Sequence, residues 1–105
     1  MSYMIKLRPG AEPQMLEVPD GKLSREQVCA IAGEEHTVVR TFVADLVLIL
    51  CGEGSEDENE LATEMLSVSD NSVIRGRALL AKDAGNKVTG LSDERAEYWM
   101  RNLKE

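Results

Sequence analysis

Aromatic side chains are scarce in this sequence: Tyr3, Phe42, Tyr98 and Trp99 make up 4% of 105 residues. Surfaces that grip single-stranded nucleic acid stack bases on aromatic rings set among basic residues, so this thin supply speaks against one. Cysteine is equally sparse. Cys29 and Cys51, the only two, lie 22 positions apart, which matches none of the close pairings used by a zinc site or a redox dithiol. Both are expected to be buried, reduced thiols, because free cysteine behaves as a small hydrophobe. His36 is the single histidine. A Cys29/His36 nucleophilic dyad would have to bridge the helix-ending Gly33 and would need an exposed, rapidly alkylated Cys29. A surface or strand-edge His36 needs neither. The sequence therefore leads us to expect no catalytic residues, no metal ligands and no cofactor.

Long apolar runs are missing too. The longest, Leu46 to Cys51, falls far short of the roughly 20 residues that cross a bilayer as a helix. No basic stretch followed by an apolar segment opens the chain, as a secretion signal would require. A cytoplasmic protein without membrane contact is the expectation. Basic residues are absent from one segment altogether. Between Glu53 and Glu64 stand Glu53, Glu56, Asp57, Glu58, Glu60 and Glu64 with no Lys or Arg, whereas the rest of the chain carries 13 acids against 12 bases. The net charge of −7 is thus essentially this segment. Non-specific binding to a phosphate backbone is disfavoured, since repulsion replaces the counterion release that drives it. A basic protein or nucleoprotein surface is the partner that such a segment suits.

Hydrophobic residues at 43% and charged residues at 30% are ordinary for one globular domain of 11.6 kDa. Tyr3 to Arg8 alternates, with Tyr3, Ile5 and Leu7 on one side, and Gln14 to Val18 pairs back on it across Pro9 to Pro13. Ser24-x-x-Gln27 is a capping box, with Leu23 and Val28 as its hydrophobic staple. Val28, Ile31 and Ala32 continue the stripe, and Gly33 ends the helix in a left-handed conformation. Thr37 to Val43 and Leu46 to Cys51 read as strands, the second covered on both faces because it does not alternate. Glu56 to Leu66 reads as a short helix with Asp57, Glu60 and Glu64 outward. Ser69 to Ser72 reads as a turn, and Val73 to Ala81 as a strand interrupted at Gly76. Ser92 caps a last helix whose acids and bases match its dipole, with Ala96, Trp99, Met100 and Leu103 facing the core. The result is one α+β domain spanning residues 1–105, with about three helices on a mixed or largely antiparallel sheet of about five strands. If Val73 to Ala81 lies at a sheet edge, it offers a route to a homodimer.

Two near-motifs fail on chemistry. Gly52-x-Gly54 sits between strand and helix, where phosphate loops occur, but it lacks the third glycine and the following Lys, and Glu53, Glu56 and Asp57 would repel a phosphate. Asp57 to Leu61 begins like a calcium loop, yet Leu61 falls where an oxygen ligand is required. Two groups remain as candidate sites. The first is the acidic set Glu53, Glu56, Asp57, Glu60 and Glu64, a docking patch for Arg and Lys side chains. The second is Arg75, Gly76 and Arg77, expected on one side of a strand, with Arg40 on a neighbouring one, as an anion contact of a small-molecule or peptide-binding module.

Ile5-Lys6-Leu7-x-Pro9-Gly10, Ala44 to Cys51 followed by Gly54, Ile74-x-Gly76-x-Ala78-Leu79-Leu80 and the closing Gly90-Leu91-Ser92-Asp93-Glu94 together resemble the domain-of-unknown-function family numbered 3846. That resemblance spans most of the chain. It implies an accessory protein of bacteria, bacteriophages or conjugative elements, working in the bacterial cytoplasm, and brings no catalytic residues. The family commonly has a Leu-Pro-x-Asn segment after its central strand, to which only Asn59 corresponds here. An inhibitor of host defence, of the anti-CRISPR or antirestriction type, is the most concrete function that follows.

Overall fold

In the computed structural model, which describes residues 2–51, 57–66 and 73–103, the unbroken apolar run becomes the strand that organises everything else. The elements in order are β1 (Ser2–Leu7), β2 (Gln14–Val18), α1 (Arg25–Ala32), β3 (Thr37–Arg40), β4 (Leu46–Leu50), α2 (Glu60–Glu64), β5 (Ala78–Asp83), β6 (Val88–Thr89) and α3 (Asp93–Leu103). Every pairing is antiparallel, in the order β2-β1-β5-β4-β3 with β6 added to β5. The described residues form an α+β domain with a six-stranded sheet and three helices.

The sheet is covered on both faces, so two cores form. Ile5, Leu7, Leu46, Leu48, Ala78 and Leu80 face α2 and α3 and pack with Met65, Ala96 and Leu103. Met4, Val47, Ile49, Leu79 and Ala81 face the other way, onto Val28 and Ala32 of α1. Period-2 alternation along β4 and β5 thus sends apolar side chains to both layers, which is why neither strand shows polar alternation. Leu48 and Ile49 are wholly buried, each contributing about 1.5–3 kcal/mol by removal from water.

The helix termini follow local sequence. The capping box forms in full: Gln27 N–H donates to Ser24 Oγ at 3.1 Å and Ser24 N–H to Gln27 Oε1 at 2.8 Å. Leu23 and Val28 are both buried beneath α1, as a staple requires. Gly33 ends the helix at φ 97, ψ 163. Its φ is positive as expected, but its ψ is extended, so the chain leaves α1 directly toward β3 rather than through a left-handed turn. Ser92 caps α3 through Arg95 N–H at 3.3 Å.

Four expectations need correction. β5 starts at Ala78, not Val73, because Gly76 has φ 79 and turns the chain just before the strand. It lies inside the sheet between β4 and β1, so it offers no edge for a homodimer; the strands at the two ends of the order are β2 and β3. α2 is only Glu60–Glu64, because Asn59 supplies the cap. Cys51 is buried, whereas Cys29 is only partly so. The expected turn at Ser69 to Ser72 lies outside the described residues.

β6 escaped the sequence reading. It pairs with Lys82 and Asp83 on the same side of β5 that holds β1 further along, so it wedges between β5 and the start of β1. Tyr3 and Leu91 then exchange backbone hydrogen bonds at 2.9 and 2.6 Å, and Leu23 N–H donates to Val88 O at 2.9 Å. Gly90 sits at the point of the wedge. A Cβ there would lie 2.6 Å from Val18 Cγ2, 2.7 Å from Ser2 Cβ and 2.9 Å from Tyr3 N, so only glycine fits.

Candidate functional site

Asn59 is the residue on which the two candidate groups of the sequence meet. It is 1% exposed, and its amide joins three parts of the chain. Nδ2 donates to Leu7 O at 2.9 Å and to Gly76 O at 2.8 Å, while Oδ1 accepts from Ala62 N–H at 3.1 Å. One side chain thus ties the end of β1, the bend at Gly76 and the first turn of α2 together, with its amide donors and its oxygen all engaged. The backbone adds to the tie, as Asn59 N–H donates to Ile74 O at 2.8 Å and Gly76 N–H to Asp57 O at 3.0 Å.

This knot brings Asp57 and Glu58 of the acidic run beside Arg75 and Gly76. Glu58 and Arg75 form a backbone bridge, and their side chains approach to 4.0 Å, both more than half exposed. An ion pair so open and so long contributes little. The expectation that Arg75 and Arg77 project from one strand beside Arg40 is not met. Arg75 and Arg77 precede β5, while Arg40 ends β3, on the far side of β4, and reaches Asp83 at 3.8 Å. Gly76 is buried, with both of its backbone polar groups used inside the fold.

Around the same knot lies an open cleft of about 720 Å³. One wall is the loop between β1 and β2, which brings Arg8 and Glu12; the other is the start of α2, with Glu58 and Glu60. These four side chains are exposed and form the rim. Pro13, Asn59 and Leu103 are buried, and with the half-buried Leu61 they form the floor. Glu64 is exposed on α2 but takes no part in the lining. Glu53 and Glu56, like Gly52 and Gly54, lie outside the described residues. Glu12 is the participant that sequence reasoning missed. It stands 46 positions before Glu58, and only the neighbouring prolines marked its loop as a loop.

Elsewhere in the fold one ion pair is tight. Arg95 of α3 grips Asp45, in the turn before β4, with Nη1 to Oδ2 at 2.6 Å and Nη2 to Oδ1 at 3.0 Å. These hydrogen bonds hold the Asp45 carboxyl below its ordinary pKa. His36 Nδ1 lies 2.8 Å from Gly33 O, a local contact at the exit of α1. Three of the four aromatics gather at one place: Trp99 meets Phe42 and Tyr98 edge to face, with centroids 6.4 and 5.2 Å apart. Among the described residues, no group of three His, Cys, Asp or Glu side chains is placed to hold a metal ion. No helix among them is long and apolar enough to cross a membrane.

No family model, no curated protein and no solved structure matches this chain.

Proposed function

We propose that the chain is a small, non-enzymatic accessory protein that binds and modulates a macromolecule through the carboxylates around the start of α2. The partner presents a basic protein or nucleoprotein surface. The observation that supports this reading is the cleft itself: Glu58 and Glu60 of the acidic run face Glu12 of a distant loop across an open volume of about 720 Å³. Acids on the rim over an apolar floor suit a cationic side chain with an apolar stem. The setting proposed with it is a phage or mobile element in a bacterial cytoplasm, and the concrete form is an inhibitor of host defence of the anti-CRISPR or antirestriction type. The engaged backbone of Gly76 gives no support to an anion contact there.

Affinity capture from bacterial lysate tests the reading. The intact protein should retain a basic partner at low salt and release it at high salt, as exposed charge contacts do. A variant carrying Asp57→Lys, Glu58→Lys and Glu60→Lys, shown to be folded by its melting temperature, should retain none. Equal capture by both proteins would reject the acidic surface as the contact.

A further inference from the structure

We infer that the cleft takes a short extended segment in which one arginine or lysine stands near a carboxylate, rather than a polybasic tract. This deepens the proposed reading and rests on it. The volume, about 720 Å³, falls in the range of roughly 300–1,000 Å³ over which proteins hold discrete ligands. It therefore suits a few residues of chain, not a broad electrostatic surface.

The lining determines the chemistry. Glu12 on one wall and Glu58 and Glu60 on the other line one cleft, so a cation placed in it is attracted by three carboxylates. A bare metal ion does not suit the arrangement, because no three carboxylates among the described residues converge on one point. The charge has to arrive on something long. Pro13, Leu61 and Leu103 supply an apolar floor for the methylene stem of Arg or Lys, whose charged head stays at the rim. Arg8 then limits the occupant. It shares that rim and takes no part in the ion pairs formed among the described residues, so it repels a second cation and attracts a carboxylate. The floor is also preorganised, since the Asn59 hydrogen bonds fix the α2 wall to the end of β1.

The test is a nuclear magnetic resonance titration of the 15N-labelled chain with three capped peptides: Arg-Ala-Asp, Arg-Arg-Arg and Gln-Ala-Asp. Arg-Ala-Asp should shift the amides of Glu12, Glu60 and Leu61. It should bind about fivefold more tightly than Arg-Arg-Arg at equal salt, the size of one exposed charge pair, and Gln-Ala-Asp should not bind. Glu12→Gln should weaken Arg-Ala-Asp by about the same factor, and Arg8→Ala should remove the preference over Arg-Arg-Arg. Tighter binding of Arg-Arg-Arg, unaffected by Glu12→Gln, would overturn this inference while leaving the broader acidic contact standing, because Glu12 lies outside the acidic run. Absence of any shift at millimolar peptide would also overturn it, and the lysate capture decides separately on the reading beneath.

Discussion

Replacing Asn59 by alanine removes three buried side-chain hydrogen bonds of 2.8, 2.9 and 3.1 Å at once. Each is worth about 1 kcal/mol net, and the partners left behind are buried and lose a contact that water does not replace. Cap loss accounts for about 1 kcal/mol of the sum. The expected cost is about 3–4 kcal/mol, a large share of the roughly 5–15 kcal/mol that holds a domain of this size. The melting temperature should fall by roughly 12–32 °C. Urea unfolding gives the number directly, with an unchanged m-value as the check that only stability moved. Asn59→Asp sharpens the test. It keeps the oxygen that caps α2 but turns the two donated bonds into a carboxylate facing the carbonyls of Leu7 and Gly76. At neutral pH it should cost at least as much as alanine. Burial and the two carbonyls favour its protonated form, so its folded-state pKa rises. The penalty should then shrink as pH falls toward the ordinary carboxyl value, where the protonated group donates again. A loss below about 1 kcal/mol in Asn59→Ala, or an Asn59→Asp as stable as the parent, would refute the knot as a source of stability.

Gly90→Ala should cost about 2–3 kcal/mol, because its Cβ meets Ser2 Cβ and the Tyr3 amide nitrogen, which cannot swing aside; an unchanged melting temperature would dispose of the wedge. Asp45→Asn should lower stability by about 0.5–1 kcal/mol at pH 7, discounted because both partners of the Arg95 pair are more than a third exposed. The lowered Asp45 pKa stabilises the fold above the unfolded value near 3.9 and is lost as pH falls through the folded value, so the parent and variant melting curves should converge below about pH 4. In the native protein, Cys29 should react with iodoacetamide well before the buried Cys51, as followed by mass spectrometry.

Legibility in the sequence tracked how local each signal was. The capping box at Ser24, the two-faced strand at Leu46–Leu50 and the dipole-matched α3 were readable because their causes lie within one or two turns of chain. α2 was overextended because Asp57 and Glu58 look like acids of a first turn, whereas the cap is the buried Asn59, whose other bonds reach Leu7 and Gly76. β5 was placed too early because Val73 and Ile74 continue the β-branched pattern across Gly76. Nothing periodic marks the two residues of β6, which exists only because Tyr3, Leu23 and Lys82 surround it. Half of the cleft was in view as the acidic run. Its other wall, Arg8 and Glu12, depends on β1 ending beside α2, a contact that no spacing encodes.

The wedge of β6 between β1 and β5 has a consequence for how the chain comes off the ribosome. Beyond β2, β1 finds its sheet neighbours only at Ala78 to Leu80 and Leu91, so until those residues are made the N-terminal hairpin has one bare edge. Pairings that span nearly the whole chain are slow to close and leave apolar strands open to other chains meanwhile. The sheet therefore closes only after β5 and β6 have been made, and truncation after Asp83 should yield aggregates rather than a smaller domain.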